Sequence, residues 1–109
     1  MIVSQLHLTD FRNYAEETFR YREGVNIVCG GNAQGKTNSA EAIFFLCTGY
    51  SPRAKRDKQV IRHGQTSARV SCEAQTRYGS VSAEIRFFSD RNKEVSVNGV
   101  PVSRIGELL

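Results

Sequence analysis

Gly30, Gly31, Asn32, Ala33, Gln34, Gly35, Lys36 and Thr37 spell G-G-N-A-Q-G-K-T, a full match to G-x-x-x-x-G-K-[ST]. These residue types fit one kind of chemistry. Glycines let the backbone wrap closely round a phosphate, and the amide N–H groups of residues 33–37 can then point at its oxygens. A helix starting where the run ends adds partial positive charge. At this spacing Lys36 reaches the β- and γ-phosphates of a nucleoside triphosphate, and the Thr37 hydroxyl is placed as a Mg²⁺ ligand. Four fixed positions in an ordinary composition arise by chance in roughly one chain of this length in a few hundred. A Gly-rich turn that binds nothing is therefore the weaker reading. A dinucleotide-binding loop is excluded, because Asn32 stands where its second glycine belongs.

Such a loop needs a strand before it and a helix after it. Residues 25–29, V-N-I-V-C, are a short β-branched run stopped by Gly30-Gly31. The spacing predicts a helix over 35–47, with Ala40, Ile43, Phe44 and Cys47 as one apolar stripe and Asn38, Ser39 and Glu41 elsewhere. Thr48-Gly49, followed by Pro52, is a stop signal. Upstream, residues 2–8 read as a strand with Leu6 and Leu8 on one face, residues 10–13 as a turn and 14–21 as a second strand. Downstream, 68–75, 80–88, 93–97 and 100–102 all have strand character. Asn98-Gly99 is a two-residue hairpin turn of type I′, and Ser103 is placed to cap a further helix. The expected fold class is α/β of P-loop NTPase type: a mixed sheet, the phosphate-loop helix and an antiparallel meander. The expected organisation is a phosphate-loop unit over 1–50, a connector over 51–66, a β-subdomain over 67–102 and the start of a helix over 103–109.

The 109 residues amount to one domain at most. Their net charge of +4 is carried by a single stretch, 53–62, where Arg53, Lys55, Arg56, Lys58 and Arg62 face only Asp57. A solvated loop is the bland reading of such an island, and a segment that contacts nucleic-acid phosphates is the sharper one. No apolar run approaches the ~20 residues that span a bilayer, and nothing resembles a secretory signal. Three cysteines without metal-ligand spacing fit a reducing cytoplasm. Cys29 is expected as a small buried residue. His7 and His63 read as surface residues, and Phe44, Phe45, Phe87 and Phe88 as core. Gln59, Gln65 and Gln75 lack the context of a Q-loop. Asn92-Lys93-Glu94-Val95 lacks the Asp of a guanine-binding N-K-x-D, so a GTPase is disfavoured. Strands ahead of the loop and a meander behind it suit no small-molecule kinase.

Phe11-Arg12-Asn13-Tyr14, the phosphate loop continued through Asn38, Ser51-x-Arg53-x-x-Arg56-Asp57 and Val97-Asn98-Gly99 together resemble the RecF family. These are bacterial DNA replication and repair ATPases related to SMC heads and ABC ATPases. Gly31, in place of a usual acidic residue, and Ser39, in place of a usual Leu, depart from the family pattern. The resemblance implies ATP and Mg²⁺ as cofactors and an ATP-dependent homodimer without membrane association. It implies binding to double-stranded and gapped DNA, with recombination mediator proteins as partners in loading recombinase at single-strand gaps during the response to DNA damage. It places Arg12 and Asn13 near the nucleotide, and has Arg56 and Asp57 hold the loop or face the nucleotide. Arg53, Lys55, Lys58 and Arg62 are then the better DNA contacts. No carboxylate here follows four apolar residues, and there is no L-S-x-G-Q signature. In the family both lie further along the chain, so the sequence reads as the N-terminal part of a longer ATPase, with no catalytic residue of its own. Two rivals stand beside this reading: another SMC- or ABC-class ATPase with a non-DNA partner, and a β-rich interaction fragment whose loop is empty.

Overall fold

The computed structural model of the chain describes residues 2–26, 38–48, 56–77 and 79–102. Six strands form one sheet: β1 (Ile2–Phe11), β2 (Tyr14–Asn26), β3 (Ser67–Thr76), β4 (Gly79–Phe88), β5 (Glu94–Val97) and β6 (Val100–Val102), in the order β2-β1-β3-β4-β5-β6. One helix, α1 (Asn38–Thr48), and a 3-10 turn (Asp57–Val60) complete the described elements. The mixed character expected of the sheet is not expressed among the described residues, where every strand pairing is antiparallel. The two strands ahead of the phosphate loop and the meander behind it belong to the same sheet, because β1 pairs with β3.

Strict alternation sets the buried face in the second half. Ala68, Val70, Cys72 and Ala74 of β3, Ala83, Ile85 and Phe87 of β4, and Val95 and Val97 of β5 all turn inward. The β5–β6 turn matches its prediction. Asn98 and Gly99 both have positive φ, 51° and 82°, and Asn98 exchanges two hydrogen bonds with Ser82, through its own N–H and through its Oδ1.

The first half departs from simple alternation at three points. Ser4 is an extra residue between the pairs Val3↔Ala74 and Gln5↔Glu73, so Val3 stays on the core side with Leu6 and Leu8. Strand β1 runs on to Phe11, past the expected end at residue 8. Asp10, at φ +50°, reverses the alternation and sends Phe11 into the core. Aspartate tolerates that left-handed conformation better than most residues. The two strands expected over 14–21 and 25–29 join through Asn26 into one, β2. Its register jumps from Gln5↔Arg20 to Val3↔Val25, so residues 21–24 bulge out. Gly24, at φ +76°, makes the bulge possible.

Helix α1 covers the apolar face. Phe45 packs edge-on to Phe87 with ring centroids 4.9 Å apart, and Phe11 meets the same ring at 6.1 Å. The expected stripe on the helix needs correction. Ile43 is buried, but so are Ala42, Phe45 and Leu46, and Glu41 has no exposed surface at all. The side chains of Ala40, Phe44 and Cys47 lie outside the described residues. A helix packed on more than one side shows no narrow stripe in its sequence. On the opposite face of the sheet polar side chains run in rows across the strands, such as Thr9, Arg69, Arg86 and Glu94. Glu84 bridges Arg69 and Arg86 there. No helix among the described residues is long and apolar enough to cross a membrane.

Candidate nucleotide-binding site

Gly30, Gly31, Asn32, Ala33, Gln34, Gly35, Lys36 and Thr37 lie outside the described residues. So do Arg53, Lys55, Cys29 and the expected helix after Ser103. The framework round the phosphate loop is described. Asn38, directly after Thr37, is the first residue of α1, as the sequence motif requires.

Arg12 occupies the turn between β1 and β2 with φ +55°. Its side chain crosses to the first turn of α1. There Nε donates to Glu41 Oε1 at 2.8 Å and Nη2 donates to Glu41 Oε2 at 2.7 Å. This is a two-point, charge-assisted contact. The Glu41 hydrogen bond and charge raise the Arg12 pKa above its ordinary value, against the opposing effect of burial. The Arg12 backbone N–H donates to Val60 O at 2.6 Å, and Nη1 approaches Gln59 O at 3.4 Å. One residue thus ties together the β1–β2 turn, the phosphate-loop helix and the 3-10 turn. The electrostatic consequence is specific. A bare carboxylate in the first turn of this helix would oppose an incoming phosphate, and Arg12 neutralises it.

The remaining candidates are spread around this hub. Asn13 is exposed at the same turn. Arg56 and Lys58 are exposed at the 3-10 turn. Arg62 is drawn back against β1: its N–H donates to Asp10 O at 2.7 Å, and its guanidinium lies 3.6 Å from the Asp10 carboxylate. Part of the basic island is therefore already paired. His7 sits on the polar face of the sheet, with Nδ1 2.6 Å from Thr18 Oγ1 and Nε2 3.6 Å from Glu16; His63 is exposed. Among the described residues no group of three or more His, Cys, Asp or Glu is placed to hold a metal ion. Phe45 and Phe87 are core residues, whereas Phe88 is only half-buried and carries Arg91 over its ring at 3.7 Å.

Glu41 is the residue that sequence reasoning missed. The available signal was a lone carboxylate inside the otherwise uncharged run 39–47, S-A-E-A-I-F-F-L-C. Such a charge on a helix meant for burial needs a cation from elsewhere in the chain.

A helix opening straight after a phosphate-loop motif, braced against an antiparallel sheet, is the arrangement of P-loop ATPase heads. A family model described as an AAA domain matches residues 5–106, and the chain belongs to that family. Its similarity within that class is to RecF. The DNA replication and repair protein RecF of Alkaliphilus oremlandii (strain OhILAs) is 35% identical over 109 residues, all of this chain and 30% of its own length. A solved structure of the recombination mediator protein RecF with ATP superposes with a TM-score of 0.78 at 28% identity, covering 99% of this chain and 29% of that one. A solved SMC ATPase shares the fold, with a TM-score of 0.75 at 23% identity over 100% of this chain and 78% of its own. The chain spans less than a third of the length of the curated relative it matches.

Proposed function

We propose that the chain forms the ATP·Mg²⁺-binding part of a RecF-like DNA repair ATPase. The observation that carries this reading is the phosphate-loop motif set directly before α1, in a chain similar to RecF along its whole length. Lys36 is the phosphate-binding cation, and the backbone of residues 33–37 with the N-terminus of α1 completes the cradle. Thr37 offers the hard oxygen donor that Mg²⁺ prefers, and the metal, when bound, neutralises charge on the β- and γ-phosphates. Asn38, the first residue of α1, adds to the nucleotide contacts. Arg12 acts from behind, holding Glu41 and so fixing the helix; Asn13 shares its turn. The connector over 51–66 carries the duplex DNA contacts Arg53, Lys55, Arg56 and Lys58, with Arg62 also engaged by Asp10. ATP-dependent dimerisation, binding at gapped DNA with recombination mediator proteins, and action in the cytoplasm follow from the RecF-like reading as proposals for the whole protein.

Calorimetric titration with ATP and Mg²⁺ tests the nucleotide assignment. Lys36→Ala weakens binding by at least tenfold, because a charge-assisted contact is lost. Thr37→Ala chiefly reduces the dependence on Mg²⁺. Equal ATP affinity for wild type and Lys36→Ala would reject the assignment.

A further inference from the structure

The β1–β2 turn is held from two sides. Asp10 and Arg12 both have left-handed backbones, at φ +50° and +55°. Non-glycine residues keep such a conformation only where their surroundings impose it. The connector does so on one side. Arg12 N–H donates to Val60 O at 2.6 Å and Arg62 N–H to Asp10 O at 2.7 Å, flanking a β-bridge between Phe11 and Ile61. Phe11 and Val60 are fully buried. Helix α1 does so on the other side, through the Arg12 bonds to both Glu41 oxygens at 2.8 and 2.7 Å. Glu41 lies four residues past Thr37, the last residue of the phosphate-loop motif. The same guanidinium reaches back to Gln59 O at 3.4 Å. Arg12 therefore touches the helix and the connector at once.

We propose that this turn is a latch: a nucleoside triphosphate bound at the start of α1 holds residues 56–62 in place through Glu41 and Arg12. The inference rests on the nucleotide half of the proposed function and deepens it with a regulatory consequence. Local openings of a fold expose together the groups of one cooperative unit. Releasing the connector leaves the left-handed turn held by Glu41 alone. A turn that then relaxes draws its guanidinium off a buried carboxylate, in the first turn of the helix that bounds the proposed site. A ligand that binds only the closed arrangement suppresses both openings alike. Arg12 is thus a positioning residue, acting through Glu41 rather than on the ligand. Arg56 and Lys58 are exposed on the latched segment, and their carbonyls accept from Gln59 N–H at 3.0 Å and Ile61 N–H at 3.2 Å. Nucleotide occupancy then also fixes where these two cations stand.

Amide hydrogen exchange read by NMR, with and without ATP and Mg²⁺, tests the latch in wild type, in Arg12→Lys and in Arg12→Leu combined with Glu41→Leu. Calorimetry on the same samples gives each dissociation constant. Lysine keeps the charge but loses the fork that grips both carboxylate oxygens, and the leucine pair removes the grip without leaving either charge behind. In wild type the Ile61 and Arg62 amides and the α1 amides of Phe45 and Leu46 slow by one common factor, about 100-fold at ATP roughly 100 times its dissociation constant. The Asn98 amide, bonded to Ser82 O, does not slow. In both variants, at the same relative ATP concentration, the α1 amides slow and those of Ile61 and Arg62 no longer follow. ATP bound by wild type without slowing at Ile61 and Arg62 would overturn the proposal. So would slowing there that persists in both variants, or equal slowing at Asn98, the mark of general stabilisation. If wild type binds no ATP, the nucleotide reading falls, and the latch is decided on the free chain. It stands if the Arg62 and α1 amides open at a common free energy in wild type and at separate ones in the variants, and falls if they open separately in wild type.

Discussion

Removing Arg12 should be among the most damaging single changes at the centre of this fold. Glu41 has no exposed surface, and both its oxygens accept from Arg12, whereas the Arg12 side chain retains 22% of its exposure. The two partners are therefore not equivalent. Arg12→Ala takes the two-point cationic partner from a fully buried carboxylate, at a cost of about 3–5 kcal/mol. Backbone strain at φ +55° is common to Arg and Ala and drops out of the comparison. Glu41→Gln leaves a guanidinium that still touches solvent and still has an amide oxygen to donate to, so it costs about 1–2 kcal/mol. Arg12→Leu combined with Glu41→Leu removes both charges and should lie within about 1–2 kcal/mol of wild type, less destabilised than Arg12→Ala alone. Urea denaturation followed by far-UV circular dichroism gives all three values. An Arg12→Ala cost below about 1 kcal/mol, or a Glu41→Gln cost exceeding that of Arg12→Ala, would refute the argument that the carboxylate is the group that cannot be left alone.

Three other perturbations follow from particular contacts. Burial pushes the Cys72 thiol from 9.0 to about 11. The unfolded chain then loses this proton first, so stability falls as pH rises between these values, by about 1.4 kcal/mol per unit. Denaturation of wild type and Cys72→Ala over about pH 8 to 11 should show the wild type losing stability more steeply by that slope, on top of a fall from the half-buried Tyr21 phenol common to both. Gly24→Ala puts a Cβ onto the Ile2 side chain at a positive φ and should cost about 1–3 kcal/mol in the same denaturation assay; a neutral result would show that the β2 bulge relaxes freely. Phe87→Ala removes the ring against which both Phe45 and Phe11 pack and should cost about 3–5 kcal/mol, whereas Phe88→Ala should cost less than half as much.

What could be read from the sequence was set by how local the cause is. Strands β3 to β6 alternate with period two, and Asn98-Gly99 fixes their last turn, so each piece carries its own signal within a few residues. The phosphate-loop motif is equally local in the sequence, a string of eight residues, though it lies outside the described residues. The errors fall where distant residues decide. The end of β1 is set by a left-handed Asp10 whose backbone C=O accepts from Arg62 N–H, far along the chain. The burial of Glu41 depends on Arg12, and α1 hides its core-facing residues because apolar side chains surround it. Arg91 reads as a turn residue and Lys93 as the start of a strand until the fold sets them beside Arg56 and Lys58.

The strand order also fixes a sequence of events in time. All pairings but one join strands adjacent in the chain, and the exception, β1 with β3, closes a loop from Phe11 to Ser67 that contains the phosphate-loop motif and α1. The hairpins on either side can form on the microsecond scale, while the long closure carries the larger entropic cost and comes later. The proposed nucleotide site is thus completed by the slow step. A nucleotide that binds only the closed form leaves the folding rate unchanged and slows unfolding, so its protection shows up as a longer native lifetime.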